Sequence, residues 1–385
     1  MSHRRQQDPI RTAVQTWLAS LPADRPDTPP ADRLLCLAPK RFVVYEPMAQ
    51  LPSGSFAQPP WAALLARQSA ESRAALWTLV LAALSRGAGS TLTHLAVTAG
   101  IPPRNEARGG EENILRSPSG LRMLHGDFGP ATAAPEGGEE PGAEDSERTL
   151  WVSTRQNGIR QIWAPRWTMF SRGNVKEKAR LLGFPSSARG SGSGGDTTWA
   201  VDLYAGIGYF VFSYASLGMR ILCWEVNPWS IEGLRRGARA NRWTVKVLRG
   251  VELETAGDYV GPDGPQIIVF AEDNQRALDR IRGFHKNGLA RDVRHVNCGF
   301  LPTSEPTWRT AWEVTAWSEE AWLHLHENVG VDDIDNRKKA LTEQYFSKWS
   351  AEEGKGRTAE PEHIELVKTF APGVWHCVFD VHIMQ

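Results

Sequence analysis

The stretch Asp202-Leu-Tyr-Ala-Gly-Ile-Gly-Tyr-Phe210 sets a carboxylate and two glycines where a strand meets a helix. WAVDLYA reads as a strand, and the YFVFSYASLG that follows has helical spacing. Gly206 and Gly208 let the backbone pass close beneath a ligand, with the helix N-terminus facing it. A plain tight turn uses glycines in the same way, so the neighbours decide. Val211 stands where a dinucleotide fingerprint needs its third glycine, which disfavours a pyrophosphate. The next strand, RILCWEVN, ends in Glu225, and a carboxylate there can accept both hydroxyl protons of a ribose. A third strand, QIIVFAEDN, ends in Asp273-Asn274, placed to read an adenine edge. Singly, each acid is as compatible with a cap or loop role. Together, at successive strand ends, they point to a nucleoside site.

These residues need elements to hold them. From Thr197 onward, strand-like runs (WAVDLYA, RILCWEV, QIIVFAE, AWLHLHEN, WHCVFDVHI) alternate with helical ones, which predicts an α/β domain with a mostly parallel sheet. The Gly/Ser-rich ARGSGSGGD at 188–196 marks the domain boundary. Residues 35–187 are predicted to form a smaller N-terminal α+β region, and 1–34 an extension that is partly disordered, with proline-rich 22–32 as a connector. Within 35–187, RFVVYEPM reads as a strand, LPSGSF as a turn, and Trp61 to Ser85 as one packed helix. Residues 131–147 hold six acids and no base and read as a solvated insertion in a hairpin-like loop.

The chain has 385 residues with 44 basic and 44 acidic side chains. That balance excludes a polycationic nucleic-acid coat without excluding a local basic surface. At 41% hydrophobic and 23% charged it can bury a substantial core. Cys36, Cys223, Cys298 and Cys377 have no paired spacing, which argues against a zinc or disulfide framework and for a reducing compartment. No run reaches the roughly 18 apolar residues of a membrane span. The expectation is a cytoplasmic protein with no membrane partner.

The carboxylates and glycines above resemble the S-adenosylmethionine site of Rossmann-like class I methyltransferases. A narrower resemblance lies in MFSRGNVKEKARL (Met169 to Leu181), DLYAGIGYF, CWEVNPWSIEGLRRGARANR, VNCGFLPTSEPTW (Val296 to Trp308), the AWLHLHENV strand and the closing APGVWHCVFDVHI. These segments are similar to the family of tRNA guanosine-37 methyltransferases and wybutosine-synthesising enzymes, over roughly residues 35 to 385. The resemblance implies a SAM-binding Rossmann-like catalytic domain at 197–385 and a tRNA-binding, donor-closing region before it. It implies transfer of the 3-amino-3-carboxypropyl group of S-adenosylmethionine to the tricyclic 4-demethylwyosine base at position 37 of phenylalanine tRNA, releasing methylthioadenosine. Ser171 and Lys178 would contact the donor from the N-terminal side. Asp202, Gly206, Gly208 and Glu225 would hold its centre, with Asp273 and Asn274 at the adenine end. Arg172 and Asn174 belong to the same motif as Ser171. The loop from Asn297 would face the target base, with Pro302 and Ser304 shaping its rim and Trp308 or Trp312 stacking on the base. The resemblance supplies no metal, no obligate protein partner and no general base, and nothing demands more than a monomer.

From Arg155 to Arg189 there are eight basic residues and one acid, Glu177, with Trp163, Trp167 and Phe170 interleaved. This reads either as an RNA-phosphate surface that includes Arg160 and Arg166 or as a solvated helix face. His324, His326, His376 and His382 read as structural, and Cys298 as a small buried filler. Two other functions stay open: methylation of guanine N1 at the same tRNA position, and a non-catalytic RNA-binding protein that keeps a SAM-type fold.

Overall fold

The computed structural model describes residues 8–22, 29–98, 104–105, 111–112, 121–131, 142–184 and 197–385. The linker expected at 188–196 and residues 132–141 of the expected acidic insertion lie outside them. The described residues divide into two compact units. One comprises those up to 131 together with 142–154 and 162–170, and the other comprises 155–161 and 171–385.

In the first unit, α1 (Pro9–Ser20) and α2 (Ala31–Leu37) precede β1 (Val43–Tyr45) and β2 (Met48–Leu51). There follow α3 (Pro59–Ala66), α4 (Ala70–Ala88), β3 (His94–Val97), the short pair β4 (Arg104–Asn105) and β5 (Glu111–Glu112), β6 (Arg122–His125) and α5 (Ala143–Arg148). The sheet order is β1-β2-β3-β6. The extension expected before residue 35 is in large part a packed element. Asp8 caps α1 by accepting from the Ile10 and Arg11 amides at 3.1 and 3.3 Å, and Pro9 opens the helix. Ile10, Val14 and Trp17 then share one buried face at i, i+4 and i+7, and the Trp17 indole donates to the Ser72 carbonyl at 2.9 Å. The single helix expected over 61–85 is two helices. Ser69 accepts from the Ser72 amide at 3.2 Å, which starts α4 afresh after α3 has ended. Residues 143–147 of the expected insertion lie in helix α5.

A hairpin of β7 (Val152–Gln156) and β8 (Ile159–Trp163) follows, turning at Asn157-Gly158 with φ of 51° and 80°. That pair of positive φ values is what an Asn-Gly hairpin turn requires.

The second unit continues with α6 (Val175–Leu182), β9 (Trp199–Asp202), α7 (Val211–Ser216), β10 (Arg220–Trp224), α8 (Pro228–Ala240), β11 (Val245–Leu248), α9 (Gly257–Val260), β12 (Ile267–Phe270), α10 (Ala277–Lys286) and β13 (Val293–Cys298). It closes with α11 (Trp308–Val314), β14 (Glu320–Gly330), α12 (Ile334–Ala340), α13 (Ser347–Glu353), β15 (Thr358–Ala371) and β16 (Val374–Met384). The eight-stranded order is β11-β12-β10-β9-β13-β14-β16-β15. The first six strands are parallel, and β16 and β15 add an antiparallel hairpin at one edge. Alternate residues feed two separate apolar layers. Val201, Leu222, Trp224, Ile268 and Phe270 pack with α10 and α11, while Ala200, Ile221, Cys223, Ile267 and Val269 pack with Leu181 of α6 and with α7 and α8. A sheet buried on both faces needs apolar residues in both registers, and these strands have them. The expected α/β class and parallel sheet are therefore present, and 171–184 belongs to this unit.

Trp17→Ala tests whether α1 is part of the first unit's core. We expect a loss of about 3–5 kcal/mol in urea unfolding; a loss below about 1 kcal/mol would show α1 to be peripheral.

Candidate functional site

The parallel strands converge on the glycine turn. Asp202 ends β9 opposite Asn297 of β13, and its Oδ1 accepts from the Tyr204 amide at 3.0 Å and from Asn297 Nδ2 at 3.2 Å. Asp202 Oδ2 and Asn297 Oδ1 are buried without a hydrogen-bond partner among the described residues. Burial pushes the Asp202 carboxyl up to about 7; its two hydrogen bonds oppose the shift, and the charge of Glu225 adds to it. Gly206 and Gly208 follow with φ of +54° and +89°. A Cβ on Gly208 would lie 2.5 Å from the Phe212 ring, so the turn needs glycine both for its backbone conformation and for space.

Glu225 anchors this turn. Its Oε2 accepts from the Gly206 amide at 2.8 Å, and its Oε1 from the amides of Val226 and Asn227 at 2.9 and 2.7 Å. Burial raises this carboxyl, and the three amides pull it back. With three of about four lone-pair sites taken, Glu225 has room for one further hydroxyl, not the two expected. Asp273 is exposed and caps the Gln275 amide at 2.8 Å. Asn274 donates to the Leu203 carbonyl at 2.8 Å, which ties the β12 end to the start of the turn. Tyr204 and Phe300 stack across the strand ends with centroids 5.0 Å apart.

Tyr209 brings Ser171 and Lys178 to the same place. Its hydroxyl accepts from the Ser171 amide at 3.0 Å, its ring lies 5.2 Å from Lys178 Nζ, and the ring edge covers Gly206. Lys178 is buried and donates to Gln156 Oε1 at 2.8 Å and Gln161 Oε1 at 2.5 Å. Burial lowers its ammonium to about 7. Ser171 Oγ donates to Asn174 Oδ1 at 3.1 Å.

Helix α6, which carries Lys178, is seated by a buried polar chain. Arg180 makes two bonds to Glu177, at 2.9 and 2.7 Å, and two to Asp380 of β16, one of them at 3.0 Å. Asp380 also bonds His324 Nδ1 at 2.7 Å, and His324 Nε2 meets His295 Nδ1 at 3.0 Å. Glu177, Asp380 and His324 are fully buried. His324 and Arg180 hold Asp380 below the usual carboxylate range despite its burial, and burial keeps His295 well below the imidazole range. His295 and His324 are thus tied into this buried chain.

Other expected residues fall elsewhere. Trp308 and Trp312 are essentially inaccessible, at 0% and 1% exposure, and Trp308 donates to Ser304 Oγ at 2.8 Å. Neither ring can stack on a base in this arrangement, because α11 turns them into the core against Tyr345, Phe346 and Trp349. Ser304 is also fully buried and donates to the His326 carbonyl at 2.9 Å, so it supports the loop from beneath and does not form its rim. Pro302 is exposed, as is Arg172. The described basic residues of the stretch differ in burial and partners. Lys178 and Arg180 turn inward, Arg160 belongs to the second unit with its backbone bonded to Asn241, Arg166 of the first unit lies over the Trp167 ring, and Arg189 is outside the described residues. Cys298 is buried, with its thiol pushed up to about 12. Among the described residues, no group of three or more His, Cys, Asp or Glu side chains is placed to hold a metal, and no helix is long and apolar enough to cross a membrane.

No family model matches the chain. It is 36% identical over 346 residues to tRNA wybutosine-synthesizing protein 2 of Schizosaccharomyces pombe, covering 89% of this chain and 72% of that protein. This chain belongs to the tRNA wybutosine-synthesizing protein 2 family. The Saccharomyces cerevisiae member is 33% identical over 312 residues, which are 76% of this chain and 60% of that protein. A crystal structure of Pyrococcus horikoshii TYW2 in complex with MeSAdo aligns with TM-score 0.57 at 16% identity, over 97% of this chain and 99% of that one. Trm5b from Pyrococcus abyssi aligns at TM-score 0.50 and 12% identity, over 94% and 82%. At such identities the structural likeness establishes the fold, which is that of these SAM-dependent enzymes. Tyr209, which meets Ser171 and Lys178, and the Arg180–Asp380 pair, which seats α6, are residues that sequence reasoning missed. Tyr209 sits inside the glycine turn itself, which was the available signal.

The buried Asp202 carboxyl yields a pH prediction. Its folded value lies above its ordinary one, so the folded state binds the extra proton between about pH 4 and 7. Stability is therefore lost as pH rises through that window, by at most about 1.4 kcal/mol per pH unit. In Asp202→Asn the loss is absent, and the difference in unfolding free energy between variant and wild type should grow from pH 5 to pH 7.5 in the variant's favour. A pH-independent difference would contradict the assignment.

Proposed function

We propose that this chain transfers the 3-amino-3-carboxypropyl group of S-adenosylmethionine to the 4-demethylwyosine base at position 37 of phenylalanine tRNA, releasing methylthioadenosine. Its membership of the wybutosine-synthesizing protein 2 family is the observation that carries this reading. The residues present suit the donor. The glycine turn packs Gly206 and Gly208 under the rings of Tyr209 and Phe212, and polar oxygens of Asp202 and Asn297 that have no hydrogen-bond partner among the described residues lie at its start. Bound S-adenosylmethionine supplies carbons activated by its sulfonium, of which the side-chain methylene is the one transferred.

The chain's own residues orient and desolvate. Glu225 holds the Gly206 amide and offers its remaining acceptor site to a ribose hydroxyl. Asn274 and Asp273 define the adenine end. Lys178, held by two glutamines, is the cation for the amino-acid tail, and its buried position strengthens an attraction that water would otherwise weaken. Pinning that tail fixes which carbon faces the acceptor base, so positioning decides between aminocarboxypropyl and methyl transfer. We place tRNA contact on the exposed basic residues, Arg172 among them.

The test uses tRNA bearing the tricyclic base and S-adenosylmethionine labelled either on the methyl group or on the carboxyl carbon. Carboxyl label should enter RNA while methyl label stays in methylthioadenosine. Methyl label entering RNA would make the chain a methyltransferase.

A further inference from the structure

Lys368 lies at this site although nothing in the motifs singles it out. It sits on β15, opposite His376 of β16, and its stem crosses the loop that carries Ser171. The side chain runs directly over Gly173: a Cβ there would come within 2.6 Å of Lys368 Cδ and 3.1 Å of Nζ. Gly173 does not have a positive φ, so its missing Cβ leaves room for the lysine and is not needed for backbone conformation. At the end of that passage Nζ donates to Ser171 Oγ at 3.2 Å.

The ammonium has donors to spare. It carries three, and among the described residues Ser171 Oγ is its one hydrogen-bond acceptor, with no carboxylate within 4 Å. The side chain is half-buried, and burial lowers its ammonium below the usual range. A partly desolvated cation with no counter-charge is costly unless an anion completes it. The Ser171 hydroxyl it touches already gives its proton to Asn174, so the hydroxyl oxygen faces Lys368 as an acceptor. The lysine thus crosses Gly173 and presents one positive charge beside Ser171.

We propose that Lys368 is a second cationic anchor of the site, binding an anionic oxygen of a ligand next to Ser171. This deepens the function proposed above and rests on it. The oxygen belongs either to the carboxylate of the donor's amino-acid tail or to a phosphate of the RNA. The carboxylate is favoured, because Ser171 and Lys178 meet through Tyr209 at the glycine turn.

Lys368→Met and Lys368→Arg separate these sources when full-length protein is titrated calorimetrically with S-adenosylmethionine, with methylthioadenosine, and with tRNA at several salt concentrations. If the anion is the carboxylate, Lys368→Met should weaken S-adenosylmethionine at least tenfold, leave methylthioadenosine within twofold, and be largely rescued by Lys368→Arg. If the anion is a phosphate, S-adenosylmethionine is unaffected while tRNA affinity falls and its salt slope drops by about one. Wild-type affinity of Lys368→Met for both ligands, at an unchanged melting temperature, overturns the proposal. Wild-type protein that does not bind S-adenosylmethionine overturns the proposed function instead, and the tRNA titration then decides on Lys368.

Discussion

Arg180 and Asp380 are 200 residues apart in the chain and meet inside the second unit, where the guanidinium bridges helix α6 to strand β16. Burying such a pair costs several kcal/mol per ion unless its remaining hydrogen-bonding capacity is met. Here it is met. Glu177 takes the guanidinium on one side, and His324, backed by His295, bonds Asp380 Oδ1, which also accepts from Arg180. The consequence is a helix that cannot slide, because moving α6 by one residue would strand fully buried charges. Glu177 and Arg180 share a face at i and i+3, and Lys178 projects from the helix away from that face. It therefore reaches Gln156, Gln161 and the ring of Tyr209. The polar chain inside the sheet and the lysine at the glycine turn are two faces of one short helix.

The electrostatics of the site follow from the same economy of charge. The two carboxyls on the strand ends, Asp202 and Glu225, are raised by burial, while the two lysines that approach from α6 and β15 are lowered by it. Each group is thus held closer to neutrality than it would be in water, and each gains from a ligand of complementary charge. Glu225 is the exception in its hydrogen bonding, since three amides already face it. Its carboxylate shapes the turn.

Much of this was legible in the sequence where a local rule forces a residue type. Gly206, Gly208 and Glu225 announce themselves because a strand-to-helix turn with positive φ admits few alternatives, and the alternating apolar runs after Thr197 made the sheet readable. What was not legible depends on distant chain. Nothing near Arg180 reveals Asp380, and nothing near Gly173 reveals that Lys368 will pass over it. Trp308 shows the converse failure. Beside a loop expected to face a base it looked like a stacking ring, but α11 aims it into the core, a direction that only the packing of 341–349 determines. Trp17 was hidden likewise, because a seven-residue spacing in a proline-flanked segment is a weak pattern until α4 supplies the surface it packs on.

The Arg180–Asp380 pair seats α6 and so sets where Lys178, proposed above as the cation for the donor's tail, meets Tyr209. Asp380→Asn keeps the shape of the side chain and removes its charge, and its effect is read by calorimetric titration with S-adenosylmethionine and, separately, methylthioadenosine. The account predicts that the variant, with its near-ultraviolet circular dichroism intact, loses about tenfold in affinity for S-adenosylmethionine, near 1.4 kcal/mol. Its affinity for methylthioadenosine, which lacks the amino-acid tail, should stay within twofold. Equal affinity of variant and wild type for S-adenosylmethionine would contradict the account.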